Sequence, residues 1–308
     1  MTGPTESVAI VVVTYNRADL LERMLAGLER LERPADAVIV VDNASTDRTP
    51  DVLAARVSTG STTGIRLQVI RSEENLGGAG GFRLGVKTAY DQGFDRIWLM
   101  DDDVVPEPEC LTTLLAQDAD CLMSVREDTR GRLIELAATR FDLESPLAIK
   151  PKRASVVSTY ADRASMPERV ELENVAFEGF MVRRRVIEAI GLPDASYFIF
   201  YDDVDYALRA RRAGFRIWAV RDAVLVRQLD FSQQHDLSSW KGFYMYRNLF
   251  VVHLRYGANR LVRAKPWLIA AMVVLLSPLR GGRREAANVI NALRSARGMR
   301  SLPPTSVD

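Results

Sequence analysis

Three consecutive aspartates, Asp101, Asp102 and Asp103, close the apolar run Ile97-Trp98-Leu99-Met100. Adjacent carboxylates resist full ionisation unless a cation compensates them, so a positive partner is expected here. Side chains alternate along an extended chain, which puts Asp101 and Asp103 on one face. Hard oxygen ligands of that kind suit a divalent metal, Mn²⁺ or Mg²⁺. A solvated acidic turn is the plainer alternative, and the apolar run before it argues against that. A second acidic cluster, Asp202-Asp203-Val204-Asp205, follows the aromatic stretch Tyr197-Phe198-Ile199-Phe200-Tyr201. Acids favour helix starts through capping and the macrodipole. A carboxylate at the rim of a cleft is also what a general base requires. Asp203 is the candidate base, with Asp202 beside it.

Two further clusters suit a nucleotide. Asp42 in "VVDNASTD" could accept an N–H from a base, while Arg17, near Thr14 and Asn16, would face phosphate. Alternatively, Asp42 simply caps its turn. In "NLGGAGG", Asn75 precedes Gly77, Gly78, Gly80 and Gly81, and a turn without side chains lets backbone N–H groups approach an anion. The dinucleotide pattern GxGxxG fails, because Arg83 stands where the last glycine would be. Of the two histidines, His235 follows "SQQ" in a polar loop and could reach a metal. His253 lies in an apolar helical stretch and reads as a core or surface residue.

The elements that must position these residues alternate. Val8–Val13 and Ala37–Val41 read as buried strands, with shorter ones at Leu67–Ile70 and Ile97–Met100. Asn16 can cap a helix over "RADLLERMLAGLERL", a second helix starts near Asp47, and a third surrounds Gly85–Asp91. Strands alternating with helices at this spacing describe an α/β fold with a mostly parallel sheet. Ligands bind beyond the carboxyl ends of such strands, where every polar cluster above falls. Residues 126 to about 172 read as irregular short strands and loops. Beyond them come an aromatic strand, the acidic turn, a helix through Leu208 and a strand at Val224–Val226. Residues 1–230 read as one catalytic domain and 231–308 as a helical region.

The chain has 308 residues, 47% hydrophobic and 26% charged, with a net charge of +1 that offers no global attraction to nucleic acid. Cys110 and Cys121 fit no zinc spacing and no disulfide framework, which points to a reducing compartment. The N-terminal run is short and β-branched, a first strand and not a signal peptide. "PWLIAAMVVLLSPL" is too short to span a bilayer. With Arg260, Arg263, Lys265, Arg280, Arg283 and Arg284 around it, it suits an interfacial helix on anionic lipid, the alternative being a core helix.

Taken in order, "VVVTYNR", "VIVVDNASTD", "NLGGAGGF", "WLMDDDV" and "FIFYDDVDYALRARRAGF" resemble the inverting, nucleotide-sugar-dependent glycosyltransferases of GT-A fold, over residues 8 to about 220. "NLGGAGGF" with "DDD" and "DDVDY" is similar to the galactofuranosyltransferase branch. That resemblance implies a UDP-galactofuranose donor and a rhamnosyl-terminated acceptor on a polyprenyl diphosphate, in cell-wall galactan synthesis, with one or two sugars added. It implies that Thr14, Asn16, Arg17, Asp42, Asn75, Gly77, Gly78 and Asp102 hold the donor. Asp101 and Asp103 would hold the metal, and Asp203 would deprotonate the acceptor. Glu178, Gly179 and Phe180 match an acceptor-facing segment that often carries tryptophan, and Trp240 is counted with the acceptor side. The family commonly supplies a metal-binding histidine after the strand at Val224–Val226. This chain reads "VRQLDFSQQHD", with Gln228 near that place and His235 seven residues later. The location implied is peripheral, on the cytoplasmic face of the plasma membrane, with a homo-oligomer left open. A dTDP-rhamnose-dependent transferase and a non-catalytic sugar-nucleotide-binding subunit are the competing readings.

Overall fold

The computed structural model describes residues 6–60, 64–148, 150–229, 237, 239–279 and 282–307. Its first half runs β1 (Val8–Thr14), α1 (Ala18–Leu28), β2 (Ala37–Asp42), α2 (Thr49–Thr59), β3 (Arg66–Arg71), α3 (Gly77–Asp91) and β4 (Arg96–Asp101). β5 (Val104–Pro106), α4 (Cys110–Leu115), β6 (Cys121–Asp128), β7 (Ala138–Phe141), β8 (Lys152–Ser155) and α5 (Val156–Thr159) follow. β9 (Arg169–Leu172), β10 (Phe180–Arg183), α6 (Arg184–Ile190), α7 (Asp202–Arg212) and β11 (Ile217–Arg227) complete the sheet region. Three helices then close the chain, α8 (Trp240–Tyr256), α9 (Arg260–Leu276) and α10 (Gly282–Gly298).

The main sheet has the order β3-β2-β1-β4-β10-β6-β11-β5, with β9 added on β11. Every residue of β1 is buried. Ala9, Val11 and Val13 face one apolar layer with Phe82, Val86 and Ile187, while Val8, Ile10 and Val12 face another with Leu21, Met24 and Leu111. Each of the larger side chains so buried, the Val, Ile, Leu, Met and Phe, contributes about 1.5–3 kcal/mol. Burial on both faces explains why the strand reads as an unbroken apolar run and not as an alternating one.

Parallel pairing brings Thr14 beside Asp42, Asp42 beside Arg71 and Val13 beside Asp101. The polar strand ends therefore line one edge. β10 runs antiparallel to β4, pairing Met181 with Trp98. Continuing that register places Glu178 opposite Asp101, although 77 positions of "DDDVV…FEG" sequence separate them by number.

Several local expectations need correction. The glycine segment is not a turn before a helix, because α3 already begins at Gly77. A Cβ on Gly81 would lie 2.6 Å from Val13, and one on Gly85 2.3 Å from Val11, so these glycines let α3 lie directly on β1. Asn16 does not cap α1; Ala18 N–H donates to Asp47 Oδ2 at 3.2 Å instead. The aromatic stretch before Asp202 is no strand. It forms a short 3₁₀ turn, Ala195–Tyr197, and then a loop in which Phe198, Phe200 and Tyr201 have φ of 63°, 66° and 66°. Residues 126–172 hold short strands and loops as expected: β9 joins the main sheet on β11, and β7-β8 form a separate two-stranded ribbon.

Candidate active site

At the carboxyl edge, Asp102 is buried with both oxygens taken. Thr14 Oγ1 donates to Oδ2 at 2.7 Å and Arg17 Nη1 to Oδ1 at 3.0 Å. Three residues expected to touch the donor are thus bonded to one another, and half-exposed Arg17 also reaches Asp103 at 3.4 Å. Burial pushes the Asp102 carboxyl up to about 6, against the pull of Arg17 and Thr14. Asp42 is likewise enclosed, accepting from Ser45 N at 2.9 Å and from Arg71 Nη1 at 2.8 Å. Asn16 fastens the neighbouring loop, its Oδ1 accepting from Thr46 N at 2.7 Å and Asp47 N at 3.2 Å.

At the start of α3, two backbone N–H groups are already used internally. Gly77 N donates to Asn75 Oδ1 at 2.9 Å, and Ala79 N to Phe198 O at 3.1 Å. Gly77 has φ +70°, and a Cβ there would stand 2.1 Å from Phe198 O, so only glycine fits. Gly78 borders open space, which is where a ligand could approach this turn.

Carboxylate oxygens of Asp101, Asp103 and Glu178 all lie within 4.8 Å of one another. Burial first, then mutual repulsion including that of Glu178, raises the Asp101 carboxyl well above its ordinary range and Asp103 in the same direction. Asp103 Oδ1 is buried with no hydrogen-bond partner among the described residues. A crowded set of hard oxygens with one orphaned acceptor fits a divalent cation. Glu178 is the addition here, expected on the acceptor side and found among the candidate ligands. Arg126 Nη1 donates to it at 2.5 Å and Arg227 stands 3.6 Å away, so its carboxyl falls below its ordinary value despite burial. His235 lies outside the described residues. Gln228 uses its backbone N–H on Asp103 O at 2.8 Å and its side chain on Val226 O at 3.2 Å.

Asp203 opens α7 half-buried, accepting from Val204 N at 2.7 Å. Burial drives its carboxyl up to about 6, opposed by that N–H, Lys152 and Arg126 and reinforced by Glu178. The two acidic clusters therefore share Glu178 and Arg126 as electrostatic neighbours. Asp202 is buried beside it, its carboxyl raised well above the usual range by burial and then by Asp203.

Two of the residues expected on the acceptor side are enclosed. Phe180 is wholly buried, packed edge-on against Tyr206 at 6.5 Å. Gly179 is buried too, its N–H donating to Leu99 O at 2.8 Å and its carbonyl accepting from Trp98 Nε1 at 3.2 Å. Trp240 is 57% exposed and stands edge-on to Phe198 and Tyr244, at 6.3 and 6.0 Å. Sequence reasoning missed Arg126, Glu135, Lys152, Arg71 and Arg227. Arg126 grips Glu135 through two bonds of 2.9 and 2.8 Å while holding Glu178. A charge set inside the apolar runs "CLMSVRED" and "AVLVRQ" was the available signal for Arg126 and Arg227.

An open sheet with carboxylates crowding its carboxyl edge and another carboxylate at a nearby helix start is a GT-A arrangement. The mannosyltransferase PcManGT from Pyrobaculum calidifontis, solved with GDP-Man and Mn²⁺, superposes on 95% of this chain and 83% of its own, with a TM-score of 0.55 and 18% identity. The Glycosyl transferase family 2 profile matches residues 9–122, and the chain belongs to that family. It is a glycosyltransferase of GT-A fold. Galactofuranosyltransferase GlfT1 of Mycobacterium tuberculosis is 31% identical over 278 residues, 86% of this chain and 87% of that one. GlfT2 of the same species is 26% identical over 80% of this chain but only 41% of its own length.

Proposed function

We propose that this protein is an inverting galactofuranosyltransferase. It takes the sugar from UDP-galactofuranose and attaches it to a rhamnosyl-terminated glycan on a polyprenyl diphosphate, during galactan synthesis. The observation that carries the reading is Asp203 beside the neighbours of the Asp101–Asp103–Glu178 cluster, in a chain similar to GlfT1 along most of its length. Asp101, Asp103 and Glu178 would hold Mn²⁺ or Mg²⁺, which supplies charge stabilisation to a departing diphosphate. Asp203 accepts the proton of the acceptor hydroxyl. That oxygen forms a bond to the anomeric carbon as the bond to UDP breaks, and the configuration inverts. In this reading Arg17, tied to Asp102 and Asp103, would face a phosphate, and Asp42, bonded to Ser45 and Arg71, would shape the nucleoside side of the edge.

The test is a donor panel with a synthetic rhamnosyl acceptor, resolved by product analysis. Transfer from UDP-galactofuranose supports the reading. Transfer from dTDP-rhamnose alone replaces it with a rhamnosyltransferase, and no turnover from any donor favours a binding subunit.

Membrane attachment belongs to the same proposal. No helix among the described residues is long and apolar enough to cross a bilayer. Yet α9 exposes Leu261, Trp267, Leu268, Met272 and Leu275, the last to 77%, with Arg260, Arg263, Arg283 and Arg284 also exposed. An exposed apolar stripe with basic neighbours fits a surface of anionic lipid. Lys265 is not part of it, being buried and donating to Ser145 O and Ala148 O at 2.6 and 2.8 Å. Flotation with anionic vesicles at low salt is expected, and Leu268→Glu with Leu275→Glu should leave the protein at the bottom of the gradient. Wild-type protein that never floats removes the attachment.

A further inference from the structure

The loop that delivers Asp202 and Asp203 has no reason of its own to hold its shape. Bulky aromatic residues at positive φ cost on the order of 1–3 kcal/mol each, and Phe198, Phe200 and Tyr201 all take such values. Phe198, with φ 63° and ψ −61°, sits at the centre of the strained form of the γ-turn, closed by Ile199 N donating to Tyr197 O at 2.7 Å. Something outside the loop must over-determine it.

That support comes largely from two adjacent side chains of α8. Arg247 Nη2 donates to Ser196 O and Tyr197 O, both at 2.7 Å. Asn248 Nδ2 lies 3.0 Å from Tyr197 O, 2.7 Å from Ile199 O and 2.9 Å from Phe200 O. Arg247 Nε donates to Asn248 Oδ1 at 2.8 Å, fixing the orientation of the amide. The remaining carbonyl, of Phe198, accepts from Ala79 at the start of α3. Five successive carbonyls, Ser196 to Phe200, are therefore held, four by this pair and one by the first turn of α3. Asn248 is fully buried and points its donors only at this loop.

We propose that Asn248, oriented by Arg247, is a positioning residue that holds the strained 196–201 loop and thereby aims Asp203 at the acceptor hydroxyl. The inference rests on Asp203 being the base, and the experiment separates the two claims. Asn248→Asp keeps the volume and the acceptor for Arg247 but removes both N–H donors and sets a negative charge among carbonyls. Its kcat should fall about 10- to 100-fold, the loss expected when a reacting group is misplaced by an ångström or so. KM for the UDP donor, and UDP affinity by calorimetry, should stay within about twofold of wild type. Arg247→Lys, which retains a cation but loses the guanidinium fork that reaches both the loop carbonyls and Asn248 Oδ1, should show the same split with a smaller drop in kcat. If Asn248→Asp fails to fold, Arg247→Lys carries the test alone. Full kcat in a folded variant, or donor affinity lost in proportion to kcat, overturns the clamp. If Asp203→Asn stays active while Asn248→Asp loses kcat, the base assignment fails and with it the aim ascribed to the clamp. If Asp203→Asn is dead and Asn248→Asp is normal, the clamp alone fails.

Discussion

The two acidic clusters look alike in sequence and are built differently, yet each divides labour in the same way. Asp101–Asp103 ends a buried strand; Asp202–Asp205 begins a helix after a strained loop. In each, one aspartate is spent on the scaffold. Asp102 is held by Thr14 and Arg17. Asp205 accepts from Arg209 at 2.9 Å, Arg255 at 2.9 Å, Tyr197 at 3.0 Å and Tyr256 at 2.6 Å. Others in each run are left crowded and with fewer hydrogen bonds. A carboxylate with both oxygens bonded is an anchor, while one left crowded and under-bonded is available for chemistry. What distinguishes the clusters is proximity: carboxylate oxygens of Asp101 and Asp103 in the first lie within 4.8 Å of one another and of Glu178, while the second has Lys152 as its added neighbour.

Removing the crowded member of the first cluster should have the largest effect. Asp103→Ala, or chelation of the wild type, is expected to lower transfer by ~10³-fold or more, the several kcal/mol a metal supplies to a leaving diphosphate. Calorimetric titration with Mn²⁺ should show the affinity lost in Asp103→Ala, and unchanged metal binding would unseat the cluster.

Next comes the crowded member of the second. Asp203→Asn should reduce turnover by ~10²-fold or more while UDP still binds. Because the base must be ionised and its carboxyl lies at about 6, kcat/KM in the wild type should decline as pH falls through about 6 and level off above it. A rate flat from pH 5 to 8 would contradict that assignment.

The anchors should respond in stability. Asp205→Ala strands the buried Arg209 and Arg255 and should cost about 3 kcal/mol, read as a lower denaturant midpoint. The smallest effect has the opposite sign. Asp203 takes up its proton more readily folded, at about 6, than at its ordinary 3.8. Its ionisation therefore works against the fold as pH rises through that interval, and the penalty is complete above about 6. Asp203→Asn should raise Tm slightly at pH 8 and hardly at all at pH 4. A Tm gain in Asp205→Ala, or a loss in Asp203→Asn at pH 8, would erase the contrast between anchor and reagent.

Much of the polar carboxyl edge of the sheet was legible because it is local. Thr14, Asp42 and Asp101 each terminate a run of buried β-branched or apolar residues, and parallel sheets bind ligands at those ends. The aromatic loop was misread because Phe and Tyr favour strands, whereas the actual backbone is imposed by Arg247 and Asn248, some fifty positions away. Gly77 to Gly81 were read as an approach for an anion; that Gly81, and Gly85 beyond it, also let α3 contact β1 was not foreseen. Nothing adjacent to them in sequence names Val13 or Val11 as the neighbour.

Periodicity and composition alone determined the first four strands, the helices between them and the positions of the two aspartate runs, since burial on two faces and helical amphipathicity are written in neighbouring residues. Only the tertiary structure decided which aspartates are bonded shut and which stand open, that Glu178 and not a nearby residue joins Asp101 and Asp103, and what clamps the loop before Asp203. Those outcomes depend on antiparallel register between β10 and β4 and on α8 packing across the loop. The physical reason is that hydrogen bonds and charge repulsion act over a few ångströms of space, whatever the distance along the chain.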